Sequence, residues 1–325
     1  MARKDDLNVI NAIVGIGKHI AKINWPCMSP GCNHTAINSH LLQRHGMLSH
    51  IVENGHCCEL RSKDFYNWSP DSPPIEFKLR GLQEAISMPL FCDYHDTVLF
   101  KPIEAREVDY SNYHNQLLLS YRATCAEIRK KEIEMEKSKR YLSSIILQTH
   151  RSEYLDVVKE SMAGNDVGLR DLYYFKDQIE KELNDSHRVF SFVHHSYPIK
   201  GIYASTTFSL ASVYEYANLD LVLPDCFGHV IPAEDHTEFV FGYHKNHVNS
   251  TVINFVNGWG GLSIEDLGKK LTGWLTLVES WGLSPSLYRR IRKRDLDTYF
   301  SYFEKSYIII DQNPDLDFNM FSGLL

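Results

Sequence analysis

Cys27-Met28-Ser29-Pro30-Gly31-Cys32 and, far downstream, Cys92-Asp93-Tyr94-His95 are the residues of this chain best suited to chemistry. The two knuckles, Cys-x4-Cys and Cys-x2-His, supply four ligands of the types a tetrahedral zinc ion accepts. Pro30 and Gly31 suit a tight turn that points both thiolates inward. Cys92 and His95 fit the first turn of a helix, because residues three apart share a face. The 59 residues between the knuckles are a tolerable span, since loop-closure entropy grows slowly with length. Seven cysteines is an odd count, and no cleavable export signal is expected in the first residues. A metal site is therefore favoured over a disulfide framework, and a cytoplasmic location is expected.

Two neighbours of the knuckles add a second kind of chemistry. His40 follows Cys32 by eight residues, and Asp96 directly follows His95. A histidine can take a proton from water as a general base, and a carboxylate suits a hard divalent cation such as Mg²⁺ or Mn²⁺.

Cys27…Cys32, Ser39-His40 and Cys92-x2-His95-Asp96 resemble the zinc-bound branch of the HNH (His-Me finger) endonucleases over about residues 25–105. More narrowly, Ala36-Ile37-Asn38-Ser39-His40, Glu53-Asn54-Gly55-His56 and Phe91-Cys92-x2-His95-Asp96-x3-Phe100-x2-Ile103-Glu104 are similar to a group of bacterial proteins, some linked to anti-phage defence. The resemblance implies a ββα element stapled by structural Zn²⁺ on Cys27, Cys32, Cys92 and His95. It also implies His40 as general base, Asp96 as ligand of a catalytic Mg²⁺ or Mn²⁺, and DNA or RNA as substrate. The chain departs from that pattern at three points. Ser39 stands where an acidic residue is usual, no Asn appears around Ser87-Met88-Pro89, and Asp96 replaces the final histidine. A second reading stays open: a non-catalytic, zinc-stabilised interaction or sensor protein whose partner is another protein or a second copy of the chain.

The elements that must position these residues read as α+β: a zinc-stapled ββα or treble-clef-like module, long connecting helices, and a mixed domain with a mainly antiparallel sheet. The expected divisions are 1–106, 107–187 and 188–325. Val9 to Ile23 reads as an entry helix or strand pair. From Glu107 to about Met162 the apolar spacing is helical, with the mixed-sign block Glu127–Lys137 expected as a solvated face. Gly164-Asn165 is expected to break that pattern before a second helix over Asp171–Leu183. Strands are expected at Val189–Val193, Ile202–Phe208, Leu221–Leu223, Phe239–Tyr243 and Val252–Val256, where β-branched and aromatic runs sit between turn formers. Helix returns over Ser263–Trp281, N-capped by Ser263, and over Pro285–Phe303.

The bulk numbers limit what the molecule can be. With 325 residues, 43% hydrophobic and 12% aromatic, the chain can build real cores. It has no apolar run of the roughly 18–20 residues a membrane helix requires, so no membrane partner is expected. The net charge of −7 opposes a protein living on nonspecific phosphate contacts. Residues 1–106 balance 11 basic against 11 acidic side chains, which confines any nucleic-acid contact to the first third. Tyr66, Trp68, Lys78 and Arg80 there mix aromatic and basic character, as single-strand binders do. His34, His45, His50 and His56 read as surface residues, Cys125 and Cys226 as core, and Cys57-Cys58 as one buried and one exposed thiol. His194-His195 and Glu234-Asp235-His236 lack metal spacing, and His244 and His247, three apart, read as a surface turn rather than a metal site. There is no Gly-x-Ser-x-Gly elbow, phosphate-cradling glycine loop or dinucleotide fingerprint.

Overall fold

The computed structural model describes residues 4–67, 73–185, 187–211, 221–308 and 313–325. The entry stretch forms helix α1 (Lys4–Ile20). Strand β1 (Asn38–His40) follows, and after it the hairpin β2 (His56–Ser62) and β3 (Ile75–Gly81). Then come β4 (Ser87–Pro89) and helix α2 (Asp93–Leu99). β1 pairs antiparallel with β4, Asn38 opposite Pro89 and His40 opposite Ser87. With α2 directly behind β4, these three short elements make a ββα unit, and the β2–β3 hairpin is an insertion within it.

Three helices connect this unit to the rest: α3 (Tyr113–Ser143), α4 (Ile145–His150) and α5 (Ser152–Asn184). Strands β5 (Phe190–Tyr197), β6 (Ile202–Ser209), β7 (Asp225–Pro232) and β8 (Thr237–His244) follow. Helices α6 (Ser250–Asn257) and α7 (Ile264–Leu275), strand β9 (Trp281–Leu283), and helices α8 (Pro285–Arg290) and α9 (Lys293–Ile308) complete the chain. The larger sheet has seven antiparallel strands in the order β3-β2-β9-β6-β7-β8-β5. It therefore draws strands from both the 1–106 and the 188–325 segments.

Strand alternation sends successive side chains into two cores. From β7, Phe227 and Ile231 join the core beneath α3 and α5, while Cys226 and Val230 join the opposite core with Trp259, Trp274 and Trp281. β8 does the same with Val240 on one side and Phe239 and Phe241 on the other. Both faces are covered, which is why β6 and β7 are buried along almost their whole length. It also corrects the expectation for Cys57-Cys58. Both are buried, at 1% and 2% exposure, because β2 points Cys57 into one core and Cys58 into the other. Cys125 and Cys226 are core residues, as expected.

The helix boundaries differ from expectation where a weak local signal met a stronger partner. α5 runs straight through Gly164-Asn165, because one helical glycine costs only about 1 kcal/mol and tertiary packing overrides it. The chain turns instead at Ser144, whose hydroxyl caps the Leu147 N–H at 3.4 Å, and at Arg151. Val252–Val256 is helix α6 rather than strand. Asn249 caps the Val252 N–H at 2.9 Å, and Val252, Phe255 and Val256 share the buried face. A short apolar run fits either period, and here the cap decides. Leu221–Leu223 precedes the strand, which begins at Asp225. Helix α7 keeps its Ser263 cap but ends at Leu275, so that Trp281 opens β9.

Candidate metal centre

The first knuckle is shaped by backbone. An antiparallel bridge between Pro26 and Thr35 brings its ends together, with the Cys27 N–H donating to the His34 carbonyl at 2.8 Å. Gly31 turns the chain at φ +69°, a conformation a side chain would resist. The second knuckle is the start of α2, with Cys92 at its N-cap and His95 in its first turn. The β1–β4 pairing holds the two together: the Met28 N–H donates to the Leu90 carbonyl and the Ile37 N–H to that of Phe91.

Cys27, Cys32, Cys92 and His95 each bring one ligand atom to within 4.8 Å of all the others. Cys32 Sγ lies 3.8 Å from Cys92 Sγ. His95 Nδ1 lies 3.5 Å from Cys27 Sγ and 3.2 Å from Cys92 Sγ. Zn–S bonds of about 2.3 Å and a Zn–N bond of about 2.0 Å at tetrahedral angles put S···S near 3.8 Å and S···N near 3.5 Å. The donor set fits an ion such as zinc, and His95 would bind it through Nδ1. Burial pushes the Cys27 thiol up to about 11. The backbone N–H of His95, at the start of α2, lowers that of Cys92.

His40 ends β1. Its Nε2 lies 3.0 Å from the Leu82 carbonyl. A carbonyl only accepts, so Nε2 carries the proton and Nδ1 keeps its lone pair. Burial holds the imidazole below its ordinary value, aided by the charges of Arg44 and Arg122 and opposed by the Leu82 bond and the charge of Asp96. Ser39 points inward, its hydroxyl accepting from the Phe91 N–H at 3.3 Å. Asp96 is on the first turn of α2, and its Oδ1 is buried without a hydrogen bond. The Arg122 guanidinium stands 3.9 Å from that oxygen.

Arg122 and Arg129 are the residues the sequence reading missed. Both are on α3, 1% exposed, and seven residues apart, which places them on one helix face about 10.5 Å from each other. Arg122 donates to Glu104 Oε1 at 2.7 Å and lies 3.9 Å over the Phe100 ring. Arg129 donates to the Pro26 carbonyl at 2.6 Å, pairs with Glu132 at 3.0 Å and lies 4.8 Å from the Trp25 ring centroid. One arginine thus clamps the segment after α2 and the other clamps the first knuckle. The mixed-sign block expected as a solvated face has Arg129 buried within it. The available signal was an arginine two helical turns from another inside the apolar stretch Leu117–Ile128.

His34, His45, His50 and His56 are exposed, as expected. Lys78 pairs with Glu76 and Arg80 with Glu84, so these two cations of the aromatic–basic set are already neutralised; Trp68 lies outside the described residues. His244 is buried rather than in a surface turn, packed on Phe190 and Phe175, while Tyr174 bonds His247 at 2.7 Å. His194 and His236 both bond Glu238, each at 2.8 Å. Among the described residues no helix is long and apolar enough to cross a membrane. No family model, curated protein or solved structure matches the chain.

Proposed function

We propose that the chain is a cytoplasmic, metal-dependent nuclease of the His-Me finger type, with structural Zn²⁺ on Cys27, Cys32, Cys92 and His95. The observation that carries the reading is the orientation of His40. The Leu82 carbonyl does for the imidazole what a partner asparagine would do, fixing the Nε2–H tautomer and leaving Nδ1 as a neutral base. His40 Nδ1 takes the proton from water, and the resulting hydroxide attacks phosphorus as the phosphodiester P–O bond breaks. Asp96, whose Oδ1 has no hydrogen bond, would hold Mg²⁺ or Mn²⁺, which would supply charge stabilisation to the departing oxygen. In the defence setting that the resemblance implies, the substrate is foreign DNA or RNA.

One observation favours a second reading. Arg122 already stands between Asp96 and Glu104 as a buried cation, which weakens the attraction of these carboxylates for a divalent ion. In that reading zinc only folds the module, and the exposed Tyr94 and Val98 on α2 face a protein partner. The test is cleavage of single- and double-stranded DNA and of RNA by zinc-loaded protein with Mg²⁺ or Mn²⁺. The nuclease reading expects cleavage that His40→Ala and Asp96→Asn abolish at unchanged zinc content. Cleavage that survives His40→Ala overturns the assignment of the base, and no cleavage with either metal leaves the interaction reading.

A further inference from the structure

Between α3, α5 and the β6–β7 pair lies a cavity of about 530 Å³, away from the metal cluster and from His40 and Asp96. That volume is within the range of roughly 300–1,000 Å³ that small-molecule sites occupy. Leu172, Phe208, Leu223 and Val278 provide an apolar wall, and Thr206 and Thr207 place hydroxyls beside it.

Most charged groups on the wall have partners. Lys130 pairs with Glu127 at 2.8 Å, and Glu127 also accepts from Thr206 at 2.9 Å. Lys131 donates to Asn165 at 3.3 Å. Asp171, on α5, accepts from the Leu223 N–H at 3.1 Å and pairs with Arg170 at 2.7 Å. Asp225 is different. It opens β7, is 5% exposed, lines the cavity and accepts no side-chain hydrogen bond from any described residue. A buried carboxyl left this way costs stability unless something meets it. Carboxylates outnumber amines around the cavity, and Lys131, whose charge acts on Asp225, donates to Asn165 rather than to the carboxylate, so the missing partner is positive. A bare metal ion is a poorer fit, because the only grouping of metal-ligand side chains among the described residues is the Cys/His cluster.

We propose that this cavity binds a small organic cation, an amine or guanidine, with its charged head on the carboxylate of Asp225 and its carbon chain along the Leu172–Val278 wall. Burial and the charge of Asp171, opposed by that of Lys131, push the unliganded carboxyl up to about 8; the arriving cation displaces the proton to solvent, and charge is conserved.

The test is titration calorimetry of the intact, zinc-loaded protein with spermidine and with agmatine. One-site saturable binding of at least one cation is expected, weakened tenfold or more by Asp225→Asn. Val157→Trp narrows the cavity at a rim position that is 60% exposed, so it leaves the core alone. It should weaken binding at least threefold even if Asp225→Asn folds poorly. No saturable binding of either cation, or affinity unchanged in both variants, overturns the proposal.

Discussion

Arg129→Met keeps most of the side-chain stem and removes the guanidinium, which isolates what the buried cation does for the metal module. Three contacts go: the 2.6 Å bond to the Pro26 carbonyl, the 3.0 Å pair with Glu132 and the cation–π contact with Trp25. A hydrogen bond to a charged group contributes about 1.5–3 kcal/mol, and a desolvated cation–π contact about 2 kcal/mol. Against these stands the cost of keeping a guanidinium out of water, which methionine does not bear. Glu132 keeps the bond from the Tyr173 hydroxyl on Oε1, but its buried Oε2 loses the charge it faces. The net expectation is a loss of about 2–4 kcal/mol, concentrated at the knuckle because Pro26 is the residue before Cys27. Urea denaturation should show a lower midpoint at an unchanged m-value. Zinc release to a chromogenic chelator should be at least tenfold faster than in the unsubstituted protein. A midpoint change worth less than 1 kcal/mol together with unchanged release would refute the clamp.

Three other outcomes are expected. Cys92→Ser should bind less than a tenth of the zinc found in the unsubstituted protein by mass spectrometry, and chelation of the intact chain should cost roughly 10 kcal/mol or less, since part of the module is also held by α3; full zinc content in the variant would exclude the site. Burial pushes His229 down to about 3, below its ordinary 6.5, so the unfolded chain binds the extra proton. The stabilising difference is complete above pH 6.5 and is lost as pH falls towards 3, at up to about 1.4 kcal/mol per pH unit; an identical acid slope in His229→Gln would contradict this. Asp225 is the opposite case, raised to about 8 from 3.8, so its contribution is favourable at low pH and is lost as pH rises to 8. Asp225→Asn should therefore stabilise the ligand-free protein at pH 8 by roughly 2–4 kcal/mol, and a lower melting temperature there would count against the assignment.

The Cys/His cluster was legible because each knuckle is local. Two residues on one turn declare themselves by spacing, and the pairing of Cys27/Cys32 with Cys92/His95 followed from counting ligands. The α+β class was legible for the same reason, through the periods of β5, β6, β8 and α3. What escaped was what other segments decide. Nothing near His40 says that the Leu82 carbonyl will hold its ring. Nothing near Arg129 says that a helix face read as solvated will be covered by the module. The β2–β3 hairpin was not assigned to the large sheet, because its neighbour β9 is more than two hundred residues away and no local period carries that information. The Cys57-Cys58 reading failed with it, since two adjacent buried thiols need a sheet covered on both sides.

That placement has a consequence for how the molecule comes into being. β2 pairs on one side with β3 and on the other with β9, through Cys58–Leu283 and Glu59–Gly282. During synthesis, at roughly 5–20 residues per second, β9 leaves the ribosome roughly 10–40 s after β2. Through that interval the β2 edge of the hairpin is open, with an apolar Cys58 and Leu60 face awaiting its neighbour. The metal knuckles, by contrast, are complete once His95 has emerged. A metal ion taken by this cluster would staple the nascent chain early, while the hairpin inside the staple stays unfinished.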